Sequence, residues 1–128
     1  MNVHDAVTLA CERIPGLIRG ALVFLPEGFV LVGVGDSDAL DLEPLIRATA
    51  RCLGAPHSPT LRGAPRVTTE YLFVVHEQLV AIQRSAHDPR LALAVACASE
   101  LNPGFALGAS RLAMKDIEAT VDLSSWGL

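Results

Sequence analysis

Cysteine is scarce in this 128-residue chain: Cys11, Cys52 and Cys97 are all there is, and no two of them form a CxxC pair. An odd count in a chain without a secretory start predicts reduced thiols rather than a disulfide framework. Aromatics make up only 5% of the residues, and the ten Lys and Arg are scattered without a run. With a formal net charge of -4, that distribution argues against nucleic-acid and anionic-membrane binding, which need a basic footprint and stacking side chains. No apolar run is long enough to span a bilayer, which takes roughly 20 residues. The most hydrophobic stretch, Ala21 to Val34, is interrupted by Pro26-Glu27-Gly28. The start, MNVHDAVTLACERIPG, has neither a basic leader nor an apolar signal core, so the expectation is a soluble cytoplasmic protein with no membrane insertion. Internal repeats and low-complexity segments are lacking too.

What the chain has in quantity is apolar residue: 51% hydrophobic against 19% charged. At this length one domain is expected, burying about two-thirds of the unfolded surface. So high an apolar share predicts that some surface meets a partner. We read residues 1–123 as a single domain and 124–128 as a short C-terminal tail. The organising stretch is Arg90 to Ser99, where Leu91, Leu93, Val95 and Cys97 alternate with Ala92, Ala94, Ala96 and Ala98. Apolar positions on both faces mark a central strand covered above and below. The alanine side offers little bulk, so a helix is expected to approach there, with Gly104 and Gly108 of the last helix allowing close contact. Leu79 to Arg84 reads as its antiparallel neighbour across the turn Ser85-Ala86-His87-Asp88-Pro89.

Val3, Val7, Ala10, Cys11 and Ile14 recur at helical spacing, and Pro15-Gly16 ends the first helix. Gly20 to Leu25 and Phe29 to Val34 are Val-, Leu- and Phe-rich and flank a tight hairpin link. Asp41 is the expected N-cap of a middle helix with Glu43 and Pro44 in its first turn and Gly54 as its C-cap. Residues 55–65 hold three prolines and read as a loop. Val67 to Val75 has the β-branched and aromatic pattern of a third strand, and polar Thr68 and Glu70 near its start suit an edge. Asn102 is the expected cap of the last helix and Pro103 its first residue, with Leu107, Ser110, Met114, Ile117 and Val121 as its stripe. Trp126 is either a docked end or an exposed anchor, and ordinary tryptophan burial favours docking. The order is α-β-β-α-β-β-β-α: an α+β fold with one five-stranded antiparallel sheet and helices on both faces.

No residue set names a reaction. Ser85, His87 and Asp88 lie within one tight link, whereas a hydrolytic triad converges from separate elements, so a solvated turn is expected. Cys52 and His57 straddle a helix end, where a packed thiol is the simpler reading. Asp36, Asp38, Asp41 and Glu43 lack the glycine and distal glutamate spacing of a calcium loop. Gly33-Val34-Gly35 follows a strand but lacks the third glycine of a dinucleotide turn, and the acids after it would repel phosphate. His4 and His76 stand apart from any ligand cluster. No cofactor is expected.

The ordered set GALVFLPEGFVLVGVG, DLEPLIRATARCLG, TTEYLFVVHEQLVAIQRSAHDPRLALAVACAS and NPGFALGASRLAMKDIEA resembles the roadblock family of dynein light-chain and bacterial GTPase-associated domains, over essentially Val3 to Val121. The final helix makes the bacterial GTPase-linked branch the nearer likeness. The resemblance implies a profilin-like/roadblock domain that is not an enzyme. It implies a dimer, with itself or a roadblock paralogue, in which the third strand pairs with its equivalent and the middle helices pack. Carried onto this chain, that interface comprises Leu45, Thr49 and Cys52 on the helix and Val67, Thr68, Thr69, Glu70, Tyr71, Leu72 and Val74 on the strand. A small Ras-like GTPase, or a signalling or motility assembly, is the partner the resemblance implies. Glu43, Arg47 and Arg51 are either the charged rim of such a contact or a solvated helix face. The alternative is a ligand-sensing or enzymatic domain of profilin-like or longin-like architecture, which a deep polar pocket converging on His76 or Cys97 would mark.

Overall fold

The computed structural model describes residues 2–25, 28–35, 47, 70–75 and 77–120, with the side chains of Phe73 and Val75 excepted. The middle helix, the loop at 55–65, the strand start at 67–69 and the tail lie outside these residues. Of the middle helix only Arg47 is described, helical and exposed.

Helix α1 runs Val3–Glu12. Its N-cap is Asn2, whose side-chain Oδ1 accepts from the Asp5 amide at 2.8 Å, occupying one donor that the first turn leaves unpaired. Strands follow at Leu17–Phe24 (β1), Phe29–Gly35 (β2), Glu70–Val75 (β3), Gln78–Arg84 (β4) and Leu91–Ala98 (β5), and a second described helix, α2, covers Pro103–Thr120. Asn102 caps α2 as expected, its Oδ1 accepting from the Phe105 amide at 3.1 Å. No described helix is long and apolar enough to cross a membrane.

The five strands form one sheet in the order β2-β1-β5-β4-β3, and every neighbouring pair is antiparallel. The Leu91–Ala98 strand is therefore central, as its two apolar faces require. Leu91, Leu93, Val95 and Cys97 join a core with Val7, Cys11, Leu22, Met114 and Ile117. Ala92, Ala94 and Ala96 join Ala21, Val23, Val80 and Ile82 on the opposite face, all buried.

Both described helices lie on the large-residue face. This corrects the expectation that α2 approaches the alanines: α2 turns Ala106, Ser110, Ala113, Met114 and Ile117 inward, and small positions on the helix itself provide the close fit. Gly104 and Gly108 play no part in that contact. A Cβ at Gly108 would meet nothing within 4 Å, and one at Gly104 would meet only the Asn102 side chain. Close approach is needed instead at Gly20, where an added Cβ would stand 3.1 Å from the Cys11 sulfur of α1. No described helix lies on the alanine face.

Candidate interaction surface

Strand β3 is outermost in the sheet, and no described strand pairs with its outer side. Its inner side matches β4 residue for residue, from Glu70 opposite Gln83 to Val75 opposite Gln78, without a register shift. The other margin differs. β2 breaks register against β1 between Leu22 and Val23, leaving Leu31 as an extra residue, and such a bulge twists an edge away from straight pairing. Of the two margins, β3 is the regular template for a further strand.

Alternation along β3 puts Tyr71 on the alanine face and Leu72 and Val74 on the helix face. Val74 is 64% exposed and Tyr71 36%, while Leu72 is half-buried and packs against the helix-side core. Glu70 is also occupied within its own chain. Its carboxylate accepts from the Arg111 Nε at 2.7 Å, from the Arg111 Nη2, and from the Gln83 Nε2 at 3.0 Å. Those hydrogen bonds and the guanidinium charge hold its pKa down from 4.5 to about 2. The polar residue that marks the strand as an edge thus also fastens the strand's start to α2. Nothing in the local pattern announces this, because Arg111 lies 41 positions away. Of the remaining expected interface and rim residues, Val67, Thr68, Thr69, Leu45, Thr49, Cys52, Glu43 and Arg51 lie outside the described residues, and Arg47 is exposed on a helix.

The sites weighed for chemistry have structural occupations. The Ser85 hydroxyl accepts from the amides of His87 (3.1 Å) and Asp88 (3.0 Å) and donates to Glu118 Oε2 at 3.1 Å. That same oxygen accepts from the His87 amide at 3.1 Å. With its lone pairs taken up by two backbone amides, the buried Ser85 oxygen is not presented for attack. Asp88 receives Nε and Nη2 of Arg90 at 2.9 and 2.8 Å, which holds its carboxyl below the usual range. Ser85 and Asp88 are buried, so the expected solvated turn is instead a tie between the β4–β5 link and α2.

Cys11 and Cys97 are free and fully buried. Burial, helped by the charge Cys97 would carry, pushes the Cys11 thiol up to about 12, and burial raises Cys97 as well. Buried apolar thiols of this kind are inert. Cys97 therefore does not open onto the polar pocket that the ligand-sensing alternative requires, and His76 lies outside the described residues. Gly35 ends β2 at φ +103°, where a Cβ would stand 2.5 Å from the Ile18 carbonyl and 2.6 Å from Arg19 Cα. Its need for glycine comes from strand contact. Among the described residues no three of His, Cys, Asp and Glu come together as a metal-binding group.

No protein-family profile and no curated protein matches the sequence. Solved structures do match the fold. The gliding protein MglB of Thermus thermophilus superposes with a TM-score of 0.73 at 16% identity, covering 93% of this chain and 90% of that one. A Roadblock/LC7 domain of Streptomyces avermitilis gives 0.70 at 13% identity, covering 93% and 97%. A profilin of Schizosaccharomyces pombe gives 0.62 at 12% identity, covering 94% and 100%. The chain therefore has the roadblock-type fold, an α+β arrangement of a five-stranded antiparallel sheet and flanking helices that profilins share.

Proposed function

We propose that this protein is a non-catalytic dimeric interaction module that binds or regulates a small Ras-like GTPase, or scaffolds a signalling or motility assembly, in the cytoplasm. The observation that carries the reading is the unbulged outer side of β3, six residues long. A row of amides and carbonyls that no described strand pairs, beside exposed Tyr71 and Val74, is a template for strand addition, and a second copy of the same strand is the simplest occupant. Structural likeness to MglB and to a Roadblock/LC7 domain supports a GTPase-associated or motility-regulating role. The occupied Ser85 hydroxyl and the inert core thiols support a non-enzymatic reading. Such a module would act by offering a preformed surface to one nucleotide state of the GTPase, since only differential binding shifts a two-state partner.

Two measurements test it. Light scattering behind size exclusion is expected to give a dimer, and a strict monomer at high concentration rejects the β3 interface. Pull-downs against GTP- and GDP-loaded Ras-like GTPases are expected to show preference for one state. Equal or no capture across the panel leaves only the scaffold reading.

A further inference from the structure

Besides the stripe it turns into the core, α2 carries a second one on its outer side. Ala106, Ser110, Ala113, Met114 and Ile117 are buried against the sheet, while Phe105, Gly108, Leu112 and Lys115 recur at helical spacing on the opposite side. Phe105 is 56% exposed and Leu112 64%. With Gly108 they line an apolar hollow of about 550 Å³ between α1 and α2. Large apolar side chains left open together mark a contact surface.

Gly108 gives independent support. A glycine inside a helix weakens it relative to alanine, and no contact within its own chain calls for one here: an added Cβ would meet no atom within 4 Å. A missing side chain at an open point of a helix suits a neighbour that comes in close.

The outer stripe is its own complement. When α2 is laid antiparallel on a copy of itself about a two-fold axis level with Ser110, each position meets the one equally far on the other side. Leu112 then enters the open place at the partner's Gly108, and Gly108 receives the partner's Leu112. Phe105 likewise meets the partner's Lys115, a ring against a cation and its apolar stem. Knob meets hole and aromatic meets cation, twice each, which is the reciprocity of an isologous interface. The charges permit it. Arg111, beside the axis, is already held by Glu70, and Asp116 by Arg13 at 3.1 Å. Lys115, the one charge on the stripe, is exposed and has no ion pair among the described residues.

We propose that α2 pairs antiparallel with α2 of a second copy through Phe105, Gly108, Leu112 and Lys115. This contact lies on the side of α2 away from the sheet, so it does not rest on the β3 margin; where β3 pairs as well, it joins two dimers into a tetramer. From Phe105 to Lys115 the helix rises about 15 Å. One crossing of that length falls short of the roughly 800 Å² per partner of a standard interface, so the association is weak and grows with concentration.

Sedimentation velocity of the full chain at rising concentration tests it, and the mass should double toward the high end. Gly108→Leu should abolish that rise by filling the hole. The site has open space for the side chain, and losing a mid-helix glycine favours α2, so folding is retained. Leu112→Gly should abolish it by removing the knob. The double variant Gly108→Leu, Leu112→Gly exchanges knob and hole and should restore the rise, with circular dichroism the same in all three. In a Val74→Lys chain the rise should run from monomer to dimer instead of dimer to tetramer. Failure of the β3 reading thus lowers the starting mass, whereas failure of this one removes the rise. Constant mass at every concentration overturns the proposal and leaves the stripe to a different protein. A rise that survives Gly108→Leu, or one that the exchange does not restore, overturns it too.

Discussion

Glu70 lies on the outermost strand yet is committed inward, to Arg111 of α2 and Gln83 of β4. Its pKa is depressed in the folded chain, from 4.5 to about 2, so the stability it contributes is fully present above about pH 4.5 and disappears as pH falls toward 2. Side-chain exposure of 51% for Arg111 and 31% for Glu70 lets solvent screen the pair, which keeps the contribution modest. Glu70→Gln should therefore flatten the acid limb of a urea-midpoint titration between these pH values, and curves that stay parallel throughout would remove the assignment. The core thiols give a second prediction at this scale. Peptides carrying Cys11 and Cys97 should stay unalkylated by iodoacetamide at neutral pH until denaturant is added, because both are buried and protonated. Modification of either in the native protein would contradict the packing. From the sequence, the thiols were legible as packed core positions. The partner of Glu70 was not, since an ion pair across 41 residues leaves no local trace.

Elements were the most legible level, because their ends carry their own chemistry. Asn102 followed by Pro103 announces a helix start, and the observed cap geometry agrees. Asn102→Ala should lower stability by about 1 kcal/mol in chemical denaturation, whereas an unchanged midpoint would mean that water replaces the cap at no cost. Ile117, at the centre of the α2 stripe and fully buried, belongs to a different class. Ile117→Ala should cost about 2–5 kcal/mol, the transfer loss plus the cavity left behind, and a loss below about 1 kcal/mol would place the helix elsewhere. The choice of sheet face for α2 was not legible. A strand apolar on both sides accepts a helix on either, and the alanines gave no preference that the small residues of α2 did not offset on the other side. The role of the β4–β5 turn also escaped the local pattern, because Glu118, which holds Ser85 and the His87 amide, belongs to the last helix.

For the whole molecule, the two sheet margins are unequal, and that inequality makes a testable statement about assembly. Val74 is the most exposed described residue of the regular margin at 64%. Val74→Lys should shift the light-scattering mass from dimer to monomer without altering circular dichroism, since lysine on an edge opposes strand addition. Persistence of the dimer would move the interface off β3. Before any folding is considered, the order of residues determines the two-faced central strand, the hairpins around it and the Asn102 cap. These rest on periodicity and on backbone demands felt within a few residues. Tertiary structure alone decided that β2 forms the second margin and, unlike β3, breaks register with its neighbour, that α1 and α2 share one face and leave a groove between them, and that Glu70 is tied to Arg111. Each of those depends on which distant apolar surface fits another, and close packing selects among surfaces that look equivalent along the chain.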